Sequence, residues 1–186
     1  MSDAGGTLIE TDILIVGAGA GGLLAALSAK RNGPAGTRVT LVDTATVGRT
    51  GHTAFSNAWS IAVLPEDDLD ATIREIIAGN DWMADQSLVS QVLATSHARI
   101  LDLENIELRY QREPDGSYLR RPTRGLDHAR VMYPLGGGLE FCWRLRRALE
   151  ALGVQILDRV IITGLLKGGT DRVVGAVGVN GRTGQF

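Results

Sequence analysis

The sequence is poor in several things that would each assign a class. It has one cysteine, Cys142, in 186 residues, which excludes a disulfide framework and a thiolate metal cluster. No apolar run approaches the roughly 18 residues of a membrane-spanning helix. Met1 to Thr11 lacks both a basic start and a long apolar stretch, so it does not read as an export signal, and a cytoplasmic location is the default. Neither sign of charge dominates: 19 basic residues against 21 acidic give a net charge of −2. That balance offers no electrostatic reason to expect nucleic acid or a membrane surface as partner. Aromatic residues are scarce, three each of Trp, Tyr and Phe, whereas glycine is abundant at 24. With 44% apolar residues the chain is not disordered, and the glycine points to tight backbone turns packed on a ligand.

Asp12–Val16 is a β-branched run ending in glycine and reads as a buried strand. Ala20–Asn32 is rich in Ala and Leu, reads as a helix, and stops at Gly33-Pro34. Arg38–Val42 reads as a second strand, which makes residues 12–43 a right-handed β-α-β unit with parallel strands. Helices are expected near Asp68–Ala78, with Leu69, Ile73, Ile76 and Ile77 inward, and near Ser87–Leu103, with Val89, Val92, Leu93, Ile100 and Leu101 inward. Arg109 to Gly138 reads as irregular, broken by Pro114, Pro122 and Pro134. A third helix is expected near Leu139–Leu152, followed by strands at Val154–Leu157, Val160–Leu166 and Val173–Val179. The last two are joined at Gly168-Gly169-Thr170-Asp171 as a hairpin.

Gly17-Ala18-Gly19-Ala20-Gly21-Gly22 places Gly17, Gly19 and Gly22 in the pattern G-x-G-x-x-G. The first glycine permits the tight turn, the second admits a pyrophosphate to the backbone, and the third lets helix and strand pack closely. Amides at the helix start then face the phosphates. Asp43 ends the second strand at the spacing that serves a ribose, with a solvated strand-end acid as the plain alternative. The fingerprint serves FAD and NAD alike. The segment from Thr44 to Ala58 decides for FAD: it is small and hydroxyl-rich where an NAD domain would place another helix.

Together with Arg49-Thr50-Gly51-His52-Thr53, Gly79-Asn80-Asp81-Trp82-Met83-Ala84-Asp85-Gln86, Pro114-Asp115-Gly116 and Arg121-Pro122, these motifs make the chain resemble the N-terminal region of the succinate dehydrogenase and fumarate reductase flavoproteins. L-aspartate oxidase and adenylylsulfate reductase belong to that family too. The resemblance implies an α/β fold, a Rossmann-like FAD-binding domain with a parallel sheet and a β-meander. It spans 1–186 as a β-α-β unit (12–43), a flavin-contacting segment (44–138) and a closing helix with strands (139–186). It implies FAD held by Gly17, Ala18, Gly19, Ala20, Gly21, Gly22, Asp43, Thr44, Thr50, Gly51, His52, Thr53, Ser56, Asn57, Ala58 and Val160. Hydride transfer at flavin N5, a dicarboxylate substrate and an iron–sulfur partner subunit follow from it, as does a cytoplasmic site, peripheral to the membrane where that partner holds it there.

His52 matches the histidine that carries flavin covalently in part of the family. Asn57-Ala58-Trp59 replaces Gln-Gly-Gly, so non-covalent FAD is expected, with attachment through His52 as the alternative. The resemblance also implies that the next strand, an Ala-Thr-Gly-Gly turn and a capping domain follow Phe186, so the chain reads as truncated before them, and no catalytic acid is assigned. The remaining candidates are plainer. His97 and His128 show no metal-ligand spacing. Arg144, Arg146 and Arg147 read as a solvated face, and Arg120, Arg121, Arg124 and Arg130 as a solvated loop or an anion or partner contact. Cys142, Trp59, Trp82 and Trp143 read as core.

Overall fold

The structure, a computed structural model, describes residues 6–123, 125–169 and 171–186. In chain order the elements are β1 (Ile13–Val16), α1 (Ala20–Asn32), β2 (Val39–Asp43), α2 (Gly51–Phe55), β3 (Ser60–Ile61), α3 (Leu69–Gly79), α4 (Gln86–Glu104), β4 (Arg120–Pro122), β5 (Arg130–Met132), α5 (Gly137–Ala151), β6 (Gln155–Asp158), β7 (Val160–Lys167) and β8 (Val173–Asn180). They form two compact units. One combines the chain up to Phe55 with Cys142–Phe186; the other is Ser56–Phe141.

The first unit is the expected α/β layer. β1 and β2 run parallel, Ile13 opposite Val39, and β6 adds to the far side of β2, Thr40 opposite Gln155, giving the order β1-β2-β6. Being central, β2 buries Val39, Thr40, Leu41 and Val42. β1 departs from the sequence reading. Among the described residues it is an edge strand, and Ile13, Leu14 and Val16 stay more than a third exposed. Its apolar run shows that it can be covered, and does not show on how many sides. The alanine-rich α1 packs Leu23, Ala26 and Leu27 inward, and Lys30 and Arg31 in its last turn complement its dipole. α5 contributes Cys142, Leu145 and Leu149, all buried. Burial pushes the Cys142 thiol up, the state of a core thiol. β7 and β8 pair antiparallel as expected. Gly168 N–H donates to Arg172 O across their turn at 2.8 Å; Thr170 of that turn lies outside the described residues.

In the second unit Asp68 caps α3 by accepting from Ala71 N–H at 2.9 Å, and Asp85 caps α4 by accepting from Leu88 N–H at 3.0 Å. The inward face of α4 is Leu93, Ser96, Ile100 and Leu103. Val92 and Leu101, expected inward, are exposed. Ser96 takes the inward place because its hydroxyl is satisfied: it accepts from Val63 N–H at 2.9 Å and donates to Leu93 O at 2.6 Å. The stretch read as irregular holds two short strands, which join β3 in an antiparallel sheet of order β3-β5-β4. Glu75 on α3 accepts from the amides of Asp127, His128 (2.8 Å) and Ala129 (2.7 Å), pinning the loop that enters β5.

The tryptophans also depart from expectation. Trp59, Trp82 and Trp143 are 56%, 63% and 36% exposed. Trp59 and Trp82 sit on or beside left-handed backbone (Ala58 φ +51°, Asp81 φ +51°, Trp82 φ +61°), and the Trp143 ring is covered by Arg144 and Arg147 instead of by apolar side chains alone. Arg124 lies outside the described residues.

Candidate functional site

The glycine fingerprint forms the turn from β1 into α1. Gly17 turns the chain at φ +97°, and its N–H donates to Val42 O at 2.8 Å, extending the β1–β2 ladder by one bond. The third glycine is sterically required: a Cβ on Gly22 would lie 1.8 Å from Gly17 O. The second is not. A Cβ on Gly19 would meet only Thr53 Oγ1, at 3.7 Å, and one on Gly21 would meet nothing within 4 Å. This is the contrast that a ligand cradle needs, a tight back wall with an open mouth.

The amides divide the same way. Ala18 N–H donates to Asp43 Oδ2 at 2.6 Å, and Ala20 N–H donates to Thr53 Oγ1 at 3.1 Å. The amides of Gly19, Gly21 and Gly22 have no acceptor among the described residues. Three free donors at the positive end of a 13-residue helix, with glycine leaving the approach clear, fit a phosphate group.

Asp43 holds more than a strand end. Besides Ala18 N–H it accepts from Ala45 N–H (Oδ1, 3.0 Å) and sits 3.5 Å from the Thr44 hydroxyl. The carboxylate therefore ties the phosphate turn to the segment leaving β2, and Oδ2, with one donor, retains a lone pair for another. Downstream in this unit, Thr50 donates to Thr46 O at 3.2 Å. Gly51 (φ +82°) opens α2, a single turn that the sequence reading did not anticipate. His52 is exposed on it, and Thr53 faces Ala20. Val160 begins β7 opposite Asn180, half-buried, and the preceding Arg159 N–H donates to Ala45 O at 3.1 Å.

Ser56, Asn57 and Ala58 belong to the second unit. Ser56 O accepts from Gly138 N–H at 2.9 Å, and Ser56 Oγ accepts from Ala58 N–H at 3.1 Å. Ala58 adopts φ +51°, a left-handed conformation glycine would hold more cheaply. Trp59 sets its ring edge-on to Tyr133, centroids 5.2 Å apart. The predicted residues thus fall on both units, the phosphate turn complete within the first.

Sequence reasoning missed Arg146. Expected on a solvated face, it makes a two-pronged contact with Asp158, 3.0 Å on each prong. It also donates to Val47 O (2.9 Å) and Glu150 (2.8 Å). Asp158 in turn accepts from Val47 N–H at 2.8 Å. The bond to Asp158 chiefly raises the pKa of the guanidinium, against the opposing effect of burial. This knot fixes the segment that follows Asp43. A signal existed: Asp158 ends β6 in register with Asp43, so adjacent parallel strands both end in an acid. Arg144 and Arg147 lie over Trp143, 4.9 and 5.1 Å from its ring centre. Among the described residues no three His, Cys, Asp or Glu side chains gather as a metal site.

The chain matches the family described as FAD binding domain over residues 12–185. It is 32% identical over 126 residues to the fumarate reductase flavoprotein subunit of Haemophilus influenzae, covering 67% of this chain and 21% of that protein. A solved structure of a mutant E. coli quinol fumarate reductase superposes with a TM-score of 0.83 at 26% identity, covering 92% of this chain and 29% of that one. Adenylylsulfate reductase of Archaeoglobus fulgidus superposes with a TM-score of 0.79 at 28% identity, covering 95% and 28%. The chain spans between about a fifth and a third of the length of the curated relatives it matches. It belongs to the FAD binding domain family, and FAD is its cofactor.

Proposed function

We propose that this chain is the FAD-holding part of an oxidoreductase of the fumarate reductase and succinate dehydrogenase type, acting on a dicarboxylate. The observation that carries the reading is the cradle at Gly17–Gly22, closed behind Gly22 and open before Gly19, with three unused amides. FAD supplies hydride transfer at flavin N5 when bound. The chain's own work is binding and orientation. The amides of Gly19, Gly21 and Gly22, with the α1 dipole, take the pyrophosphate. Asp43 accepts from the ribose hydroxyls while keeping Ala18 in place. Ala18, Ala20, Thr44 and Val160 flank the nucleotide half. Thr50, Gly51, His52 and Thr53, with Ser56, Asn57 and Ala58, serve the flavin half, His52 without a covalent bond. An iron–sulfur partner subunit and a cytoplasmic site, peripheral to a membrane through that partner, complete the reading. Among the described residues no helix is long and apolar enough to cross a membrane.

The coverage of the relatives favours a second reading, in which the chain holds FAD with no turnover of its own. One preparation separates the two. The purified chain is loaded with FAD, desalted, and assayed for flavin absorbance and for reduction of fumarate by a reduced dye. Bound flavin with turnover supports the enzyme reading, bound flavin without it the holding reading. Absence of flavin after desalting overturns both.

A further inference from the structure

The second unit contains a cleft of about 510 Å3 that the flavin reading leaves unused. Its size suits a small molecule. Its lining carries four guanidinium groups, Arg112, Arg120, Arg121 and Arg130, against two carboxylates, Glu66 and Glu113, together with His97. The four arginines are not equivalent. Arg120 is a fixed base: its side chain is nine-tenths buried and paired with Asp67 and, at 3.1 Å, with Glu66. Arg112 is held over the Tyr118 ring at 4.1 Å and by Glu104 at 2.8 Å. Arg121 pairs with Glu113, 3.0 Å apart, and donates to Arg120 O at 3.3 Å; the exposed pair is of the kind worth about 0–1 kcal/mol and readily exchanged. Arg130 and His97 have no acidic partner among the described residues.

A concave wall with a buried, doubly paired arginine and two further groups without an acidic partner, Arg130 and His97, leaves donors open to an anion. We propose that this cleft binds a small anion carrying two or more oxyanion groups, phosphate or carboxylate, held by Arg130 and His97, with Arg121 turning from Glu113 to join them. Guanidinium forks match both groups in two-pronged geometry. Glu66 and Glu113 are already taken up by Arg120 and Arg121, and a ligand with two oxyanion groups can engage Arg130 and Arg121 together. The site is independent of the phosphate turn at Gly17–Gly22.

The test uses the full chain saturated with FAD, titrated calorimetrically with inorganic pyrophosphate and, separately, with citrate. Binding of either at millimolar concentration or below, weakening with added salt, is expected. Pyrophosphate alone identifies a phosphate ligand, citrate alone a carboxylate ligand, and both the shared chemistry. Arg130→Ala should weaken binding at least tenfold, Arg130→Lys should restore part of it, and the same titration of the chain without added FAD should give equal binding. The arginine Nε–H signals of the parent should shift on titration, a readout independent of any variant's folding. No binding up to about 10 mM, equal binding in Arg130→Ala, or binding lost when FAD is withheld overturns the proposal. The flavin reading stands or falls separately, on flavin content.

Discussion

Replacing Gly22 by alanine puts a methyl carbon 1.8 Å from Gly17 O and 3.0 Å from its carbonyl carbon. Carbon and oxygen do not approach within 3.0 Å in such contacts, so helix and turn must separate by at least about 1.2 Å. Alanine gains about 1 kcal/mol over glycine in a helix. Overpacking costs about 1–3 kcal/mol, and backbone forced against backbone stands at the upper end. The expected net loss is about 2 kcal/mol, a fall in Tm of roughly 4–8 °C for a chain of this length. The displaced Gly17 carbonyl also shifts Ala18, whose N–H then leaves Asp43. Gly19→Ala is the informative partner. Gly19 has ordinary extended geometry (φ −70°, ψ −175°) and open space before it. Its variant should melt within about 2 °C of the parent yet lose most bound flavin. Thermal melts of the two apo-proteins, with flavin content after desalting, decide the matter. Equal stability of Gly22→Ala and the parent, or full flavin content in Gly19→Ala, would refute the division of labour between the two glycines.

Asp43→Ala should weaken FAD binding by about 1.5–3 kcal/mol, since it removes a charge-assisted acceptor and frees Ala18; a Kd within twofold of the parent returns Asp43 to a solvated acid. Arg146→Ala should lower Tm by roughly 4–8 °C, because about 2 kcal/mol of hydrogen bonds to charged groups go with it; an unchanged melt would show that the knot to Asp158 and Val47 is dispensable. Burial pushes the Glu75 carboxyl up, but the amides of Ala129, Asp127 and His128 outweigh it, and the net pKa is lowered. Its stabilisation is therefore complete above the ordinary glutamate range of about 4.3 and drains away as pH falls through the lower folded value. Denaturant titrations should show Glu75→Gln losing stability relative to the parent at pH 7, and the gap narrowing as pH falls below the ordinary glutamate range. Acid precipitation should release the flavin, and yellow colour left in the washed pellet but lost in His52→Ala would establish covalent attachment instead.

The β-α-β unit was legible because independent signals agree there: an apolar run, three glycines at fixed spacing, and an Ala- and Leu-rich stretch closed by Gly33-Pro34. The observed helix matches the expected one residue for residue. The small sheet of the second unit was illegible for a physical reason. Strands of two or three residues, one of them Arg120-Arg121-Pro122, are too short to carry an alternating pattern. Arg146 was hidden because one guanidinium can face solvent or reach a strand end, and only the register of Asp158 beside Asp43 tells which. Asp43 was read for its ligand. Its bond to Ala18 depends on a turn geometry that spacing alone does not specify.

The pairing of β2 with β6 has a consequence for how the protein is made. Thr40 and its partner Gln155 lie 115 residues apart. A ribosome adding about 5–20 residues per second delivers Gln155 roughly 6–23 s after Thr40. Through that interval β1 and β2 have only each other and α1, and a two-stranded ribbon is marginal in water. The second unit, continuous from Ser56 to Phe141, emerges whole before the first can close. A nascent chain stalled between Phe141 and Gln155 would thus carry a finished insertion and an unfinished host, with the apolar far edge of β2 open to any strand that finds it.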